Sequence, residues 1–231
     1  MKISDKVIWI TGASSGIGEA LAYECSRQGA SLILSARRSE VLQEVKSKCH
    51  HPESVHVVPL DLEDYENLDV KVAEALEKAG KVDVLINNGG ISQRSLVQNT
   101  SIQVDKRLMD INYLGTVALT KALLPHFLAR KQGHFAVVTS LVGKFATPMR
   151  SSYAAAKHAL HGFFDTLRAE LHNENIRVTI ACPGFVQTNV SKNALTGDGS
   201  AQASMDQATA NGITAKQCAV GIINAIKRNK E

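Results

Sequence analysis

The sequence predicts an α/β fold in which one doubly wound parallel sheet carries helices on both faces. Three observations support that expectation. Near-continuous Val/Ile/Leu runs recur along the 231 residues, as in parallel strands buried on both sides. Longer amphipathic stretches separate them, and strand–helix repetition builds parallel sheets. A glycine-rich turn follows the first run directly, where such folds bind nucleotides.

In chain order, strands are expected at 6–10 (KVIWI), 31–35 (SLILS), 55–59 (VHVVP), 82–87 (VDVLIN), 134–140 (HFAVVTS) and 176–182 (IRVTIAC). Helices are expected at about 15–29, 39–49, 64–79, 101–130 and 152–173, with a last one over AKQCAVGIINAIKRN. No repeat, linker or low-complexity block interrupts the pattern, so 1–231 reads as a single domain. Between 184 and 214 small and polar residues dominate without a period. A connection of that length inside a domain is usually a lid or partly disordered.

Composition narrows the function. With 44% hydrophobic and 21% charged residues, the chain is an ordinary globular one. Its net charge of +4 is spread among interleaved acids rather than gathered in a stripe, which argues against nucleic acid as a partner. Cys25, Cys49, Cys182 and Cys218 form no C-x-x-C pair, and the histidines lack a third ligand at metal spacing, so no metal site is expected. The chain enters its first strand after a few polar residues and has no long apolar run, which predicts a cytoplasmic protein without a membrane span.

The glycine turn is WITGASSGIGEALA, with Gly12, Gly16 and Gly18 spaced four then two apart. This is not the G-x-G-x-x-G fingerprint, but the mechanics are shared: glycines admit a pyrophosphate, and the helix amides stabilise its charge. Ser14, Ser15 and Ile17 complete the candidate loop. At the end of the second strand, where a carboxylate would hold a ribose 2′-hydroxyl, the sequence has Ala36 followed by Arg37 and Arg38. An arginine fork suits a 2′-phosphate, which favours NADP(H) over NAD. Asp61, with Leu62 beside it, would either hydrogen-bond the adenine or cap the next helix. At the fourth strand's end, Asn87, Asn88, Gly89 and Gly90 let the backbone pass close to a cofactor.

YAAAKHALHGFF opens a helix that puts Tyr153 and Lys157 one turn apart on one face, with three alanines leaving room across it. Such a pair is either a solvated helix face or an acid and its tuner. An ammonium close by favours the phenolate and lowers a tyrosine's pKa from about 10.

Taken together, TGASSGIG, NNGG, DINYLG, VVTS, YAAAK and CPGFVQT make the chain resemble the short-chain dehydrogenase/reductases along nearly all its length, and within them the dehydrogenase/reductase member-7 branch. The resemblance implies a Rossmann-type fold and an NADP(H)-dependent oxidoreductase acting on a carbonyl or alcohol. It implies that Tyr153 protonates the carbonyl oxygen and that Lys157 tunes it and holds the nicotinamide ribose. Ser140 would hydrogen-bond the substrate oxygen, and Asn112 would support a water linking Lys157 to solvent. Pro183, Gly184, Val186 and Thr188 would meet the nicotinamide, with Phe185 beside the substrate. Members usually carry a seventh strand after the last helix, which this chain leaves no room for. The family's interface helices would correspond to 101–130 and 152–173, implying a homodimer or homotetramer.

The expected substrate wall is Ser92, Gln93, Val142, Phe145, Met149 and Phe185. That mixture points to an uncharged ketone or aldehyde, and the member-7 resemblance to lipophilic carbonyls such as steroids, retinals or quinones. Arg94 or Arg150 could hold an acidic group, although loop arginines are usually solvated. A non-catalytic NADPH-binding redox regulator on the same fold is the alternative function; such a protein would not need both Tyr153 and Lys157. A pure scaffold would not need the glycine loop.

Overall fold

Six short β-rich runs assemble into one parallel sheet in the computed structural model, which describes residues 1–230. They are β1 (Val7–Thr11), β2 (Ser31–Ser35), β3 (Val55–Val57), β4 (Val84–Asn87), β5 (Gly133–Val138) and β6 (Ile176–Ala181), in the spatial order β3-β2-β1-β4-β5-β6. The direction of winding reverses between β1 and β4, which opens a crevice at the carboxyl ends of those strands.

All of β1 is buried, and its side chains alternate between two cores as the pleat requires. Ile8 and Ile10 enter one core, where they meet Leu21 of α1 (Gly16–Arg27) and Ile222 of α8 (Ala215–Lys227). Val7 and Trp9 enter the other, beside Leu123 and Phe127 of α5 (Gly115–Arg130) and Phe164 of α6 (Ser151–Glu170). Trp9 is fully buried, so its indole N–H needs a partner; it donates to Ser35 Oγ at 2.8 Å, and Ser35 in turn donates to the Val58 carbonyl at 2.5 Å. The remaining helices are α2 (Ser39–Ser47), α3 (Leu68–Ala79), α4 (Ile102–Met109) and the short α7 (Gln207–Ala210).

Two expectations change in detail. The helix expected over 101–130 is α4 and α5 joined through a π-helical turn at Asp110–Leu114. The 184–214 stretch is docked rather than irregular. Val186–Gln187 (β7) pairs in parallel with Ile213–Thr214 (β8), and Leu195 bridges both Gln93 and Ala201. Its backbone partners lie far away in sequence, Arg94 N–H on the Leu195 carbonyl at 2.8 Å and Ser101 N–H on the Gly197 carbonyl at 2.9 Å. That is why no local period announces it. Among the described residues β6 forms this edge of the sheet.

Candidate active site

The glycine turn is fixed by conformation and by close approach. Gly12 has φ +65°, and a Cβ there would meet the Gly89 Cα at 2.8 Å. At Gly18 a Cβ would overlap the Gly12 carbonyl oxygen. Thr11 Oγ1 accepts from the backbone N–H of Asn88 at 3.0 Å and of Gly89 at 2.9 Å, while Asn88 Nδ2 donates to the Thr11 carbonyl at 3.0 Å. The β1 and β4 ends are thereby locked together beneath the first turn of α1. Gly12 and Gly16 line the cavity at the N-terminus of α1, which fits a dinucleotide pyrophosphate.

Beyond it, Arg37 and Arg38 are exposed at the cavity edge. Asp61 Oδ1 accepts the Glu63 N–H at 3.0 Å, so it shapes the turn after β3 and still faces the cavity.

The other half of the site comes from β5 and α6. Ser140 follows β5, and its Oγ takes the Val142 N–H at 3.3 Å. Tyr153 and Lys157 rise from the first turns of α6. Lys157 is buried, donates from Nζ to the Val138 carbonyl at 2.9 Å, and lies 5.7 Å from the centre of the Tyr153 ring. Burial pulls the Lys157 pKa down to about 8. Burial likewise raises the Tyr153 pKa, against the lowering pull of the Ser140 hydroxyl and of the Arg150 and Arg94 charges. The tyrosine is therefore not the low-pKa phenol that a neighbouring lysine was expected to make.

Gly12, Ser14, Ser15, Gly16 and Ile17 line a single cavity of 610 Å³ with Arg37, Arg38, Asp61, Leu62, Asn88, Gly89 and Gly90. The same cavity takes in Ser140, Tyr153, Lys157, Pro183, Gly184, Phe185, Val186 and Thr188. Gly18 acts from behind, through its contact with Gly12.

The structure refines several expectations here. Asn112 is fully buried behind Gly90: its Oδ1 accepts the Ile91 N–H at 2.8 Å and its Nδ2 donates to the Ile91 carbonyl at 2.9 Å. Its side chain thereby clamps the loop after β4. Phe145 is 56% exposed and outside the cavity wall, as are Val142, Met149 and Gln93, whereas Ser92 and Phe185 are in it. The three alanines do not clear space for a cofactor; Ala154 and Ala156 are buried in packing, Ala155 is exposed, and none lines the cavity.

Other residues matter in ways the sequence did not signal. Gln93 is buried and pins the start of α6, its Oε1 accepting the Ser152 N–H at 3.1 Å. Arg94 and Arg150 are not solvated: their side chains are 9% and 17% exposed, and both face Asp206. Thr11 could have been found as the residue opening the glycine motif. Asp206 lies in a stretch without any motif.

A family model described as short chain dehydrogenase matches residues 6–199. The chain belongs to the short-chain dehydrogenase family. This assigns it to a family of oxidoreductases and agrees with the member-7 resemblance. A dehydrogenase/reductase SDR family protein 7-like of Anopheles gambiae is 46% identical over 235 residues, covering 99% of this chain and 74% of that protein. Among solved structures, a short-chain dehydrogenase/reductase of Burkholderia phymatum in complex with NAD superimposes with a TM-score of 0.88, covering 100% of this chain and 88% of that one, at 23% identity. An alcohol dehydrogenase of Thermococcus sibiricus complexed with 5-hydroxy-NADP superimposes with a TM-score of 0.82 at 27% identity, covering 96% of this chain and 90% of that one. Nicotinamide cofactors are thus bound by structural neighbours of this short-chain dehydrogenase. No helix among its described residues is long and apolar enough to cross a membrane.

Proposed function

We propose that this protein is an NADP(H)-dependent oxidoreductase that interconverts a carbonyl and an alcohol, with Tyr153 as its general acid and base. The observation that carries the reading is the convergence of Ser140, Tyr153 and Lys157 on the cavity that the glycine cradle also lines.

When bound, the nicotinamide supplies the hydride to the carbonyl carbon or takes it back in the reverse direction. The chain's own groups handle the oxygen and the proton. Tyr153, whose hydroxyl burial keeps protonated at neutral pH, gives its proton to the carbonyl oxygen as charge develops there. Ser140 shares that charge by donating a hydrogen bond to the same oxygen. The phenolate left behind is stabilised through space by the Lys157 ammonium and by the Arg150 and Arg94 charges, and it regains its proton from solvent. Gly12 to Ile17 would hold the pyrophosphate, Arg37 and Arg38 the 2′-phosphate, Lys157 the nicotinamide ribose, and Thr188 the carboxamide. A cytoplasmic homodimer through the α4–α5 and α6 faces belongs to the same reading; light scattering at twice the monomer mass would support it.

Titration with NADPH and NADH, followed by NADPH consumption with a panel of ketones, aldehydes and quinones, tests the proposal. Preferred NADPH binding with turnover of at least one carbonyl class is expected. Binding without any turnover across the panel would leave the redox regulator as the better account.

A further inference from the structure

Arg94 and Arg150 stand in the wall of the catalytic cavity with Tyr153. Arg94 is largely buried and satisfied: it ion-pairs Asp206 and donates from Nη1 to the Gln93 carbonyl at 3.3 Å. Arg150 is different. Its side chain is 17% exposed, its nearest carboxylate oxygen, on Asp206, is 3.7 Å away, and it makes no side-chain hydrogen bond to any described residue. Its guanidinium carbon lies 5.8 Å over the Phe185 ring, which covers one face of the planar group. A guanidinium carries five N–H donors, and removing it from water without partners is costly. Burial accordingly pushes the Arg150 pKa down, and the Arg94 charge adds to this.

The charge count around Asp206 gives the sign of what is missing. In that cluster two guanidiniums and one aspartate leave one uncompensated positive charge, and among the described residues the only carboxylate lining the cavity, Asp61, belongs to the turn after β3. Asp206 also shows what kind of anion the pair accepts, a planar carboxylate that matches an arginine fork. A phosphate monoester, at about −1.5 to −2, would overfill the site against Asp206.

We propose that the substrate pocket takes a carbonyl compound bearing a carboxylate, bound by Arg150 while the Arg94–Asp206 pair holds the 184–214 segment in place. This rests on the oxidoreductase reading above and replaces the expectation of an uncharged substrate.

The test uses para-acetylbenzoate against its methyl ester as substrates, and benzoate against benzamide as plain ligands of the NADPH-loaded protein. Wild type should favour the acid by roughly 10- to 150-fold in KM, the range of one charge-assisted contact. Arg150→Met should bring that ratio toward unity, Arg150→Lys should keep part of it, and Asp206→Asn should enlarge it by removing the competing carboxylate. Benzoate, and not benzamide, should raise the melting temperature of wild type and fail to do so in Arg150→Met. Benzoate stabilisation that depends on Arg150, without turnover of either ketone or of any carbonyl in the panel above, would uphold the carboxylate site while sinking the oxidoreductase reading. Equal use of acid and ester, with no benzoate stabilisation, would overturn the carboxylate site and leave the enzyme reading standing.

Discussion

Lys157 places its ammonium 5.7 Å from the centre of the Tyr153 ring and gives its hydrogen bond to the Val138 carbonyl, not to the tyrosine hydroxyl. Its influence on the acid is through space. Burial leaves Lys157 with a pKa of about 8 and raises that of Tyr153, so the lysine titrates first as pH rises. In the proposed mechanism carbonyl reduction needs the ammonium, so kcat/KM should hold near neutrality and fall as pH passes about 8. Lys157→Met should lower the rate and abolish that limb. A profile whose alkaline limb survives the substitution would mean that another group sets it.

Arg37 and Arg38 are exposed at the cavity edge, where Ala36 replaces an acid. Arg37→Ala should weaken NADPH binding roughly tenfold or more while leaving NADH binding nearly unchanged, since only the former has a 2′-phosphate to lose. Fluorescence titration of both cofactors reads this directly. Equal losses for the two would place the arginine's effect on the shared parts of the dinucleotide.

At the far end of the sheet, the Asp83 carboxylate accepts the Val7 N–H at 2.9 Å and pairs with Arg130 at 2.7 Å and Lys81 at 3.1 Å. Burial alone would raise its pKa, but those partners outweigh it and hold the carboxyl below its usual range. Because the folded pKa is depressed, the stabilisation is present above the unfolded value of about 3.9 and is lost as pH falls through the folded one. Asp83→Ala should cost roughly 3–5 kcal/mol, since it leaves a half-buried Arg130 without its partner. Urea unfolding at neutral pH and in acid checks both; the wild-type advantage should shrink in acid.

The sheet and the cofactor cradle were legible because their signals are local. Val/Ile/Leu runs mark buried strands, and Gly12 needs its left-handed φ wherever the chain turns so tightly. The Tyr153–Lys157 spacing likewise fixes a shared helix face. The clamp from Asn112 to Ile91 was not legible because the two meet only through the fold, where the amide makes two hydrogen bonds. Phe145 sits at a plausible sequence distance from Ser140 yet turns outward. Arg94 looked solvated because the carboxylate that buries it, Asp206, lies 112 positions away.

Replacing Tyr153 by phenylalanine removes the proton donor and leaves the ring, so it bears most directly on the proposed chemistry. NADPH binding and NADPH consumption should be measured side by side in wild type and Tyr153→Phe with the best carbonyl substrate. Binding should be kept, and the reduction rate should fall by roughly 10²–10⁴. A mutant that reduces the same carbonyl at the wild-type rate would contradict the assignment of Tyr153 as the acid.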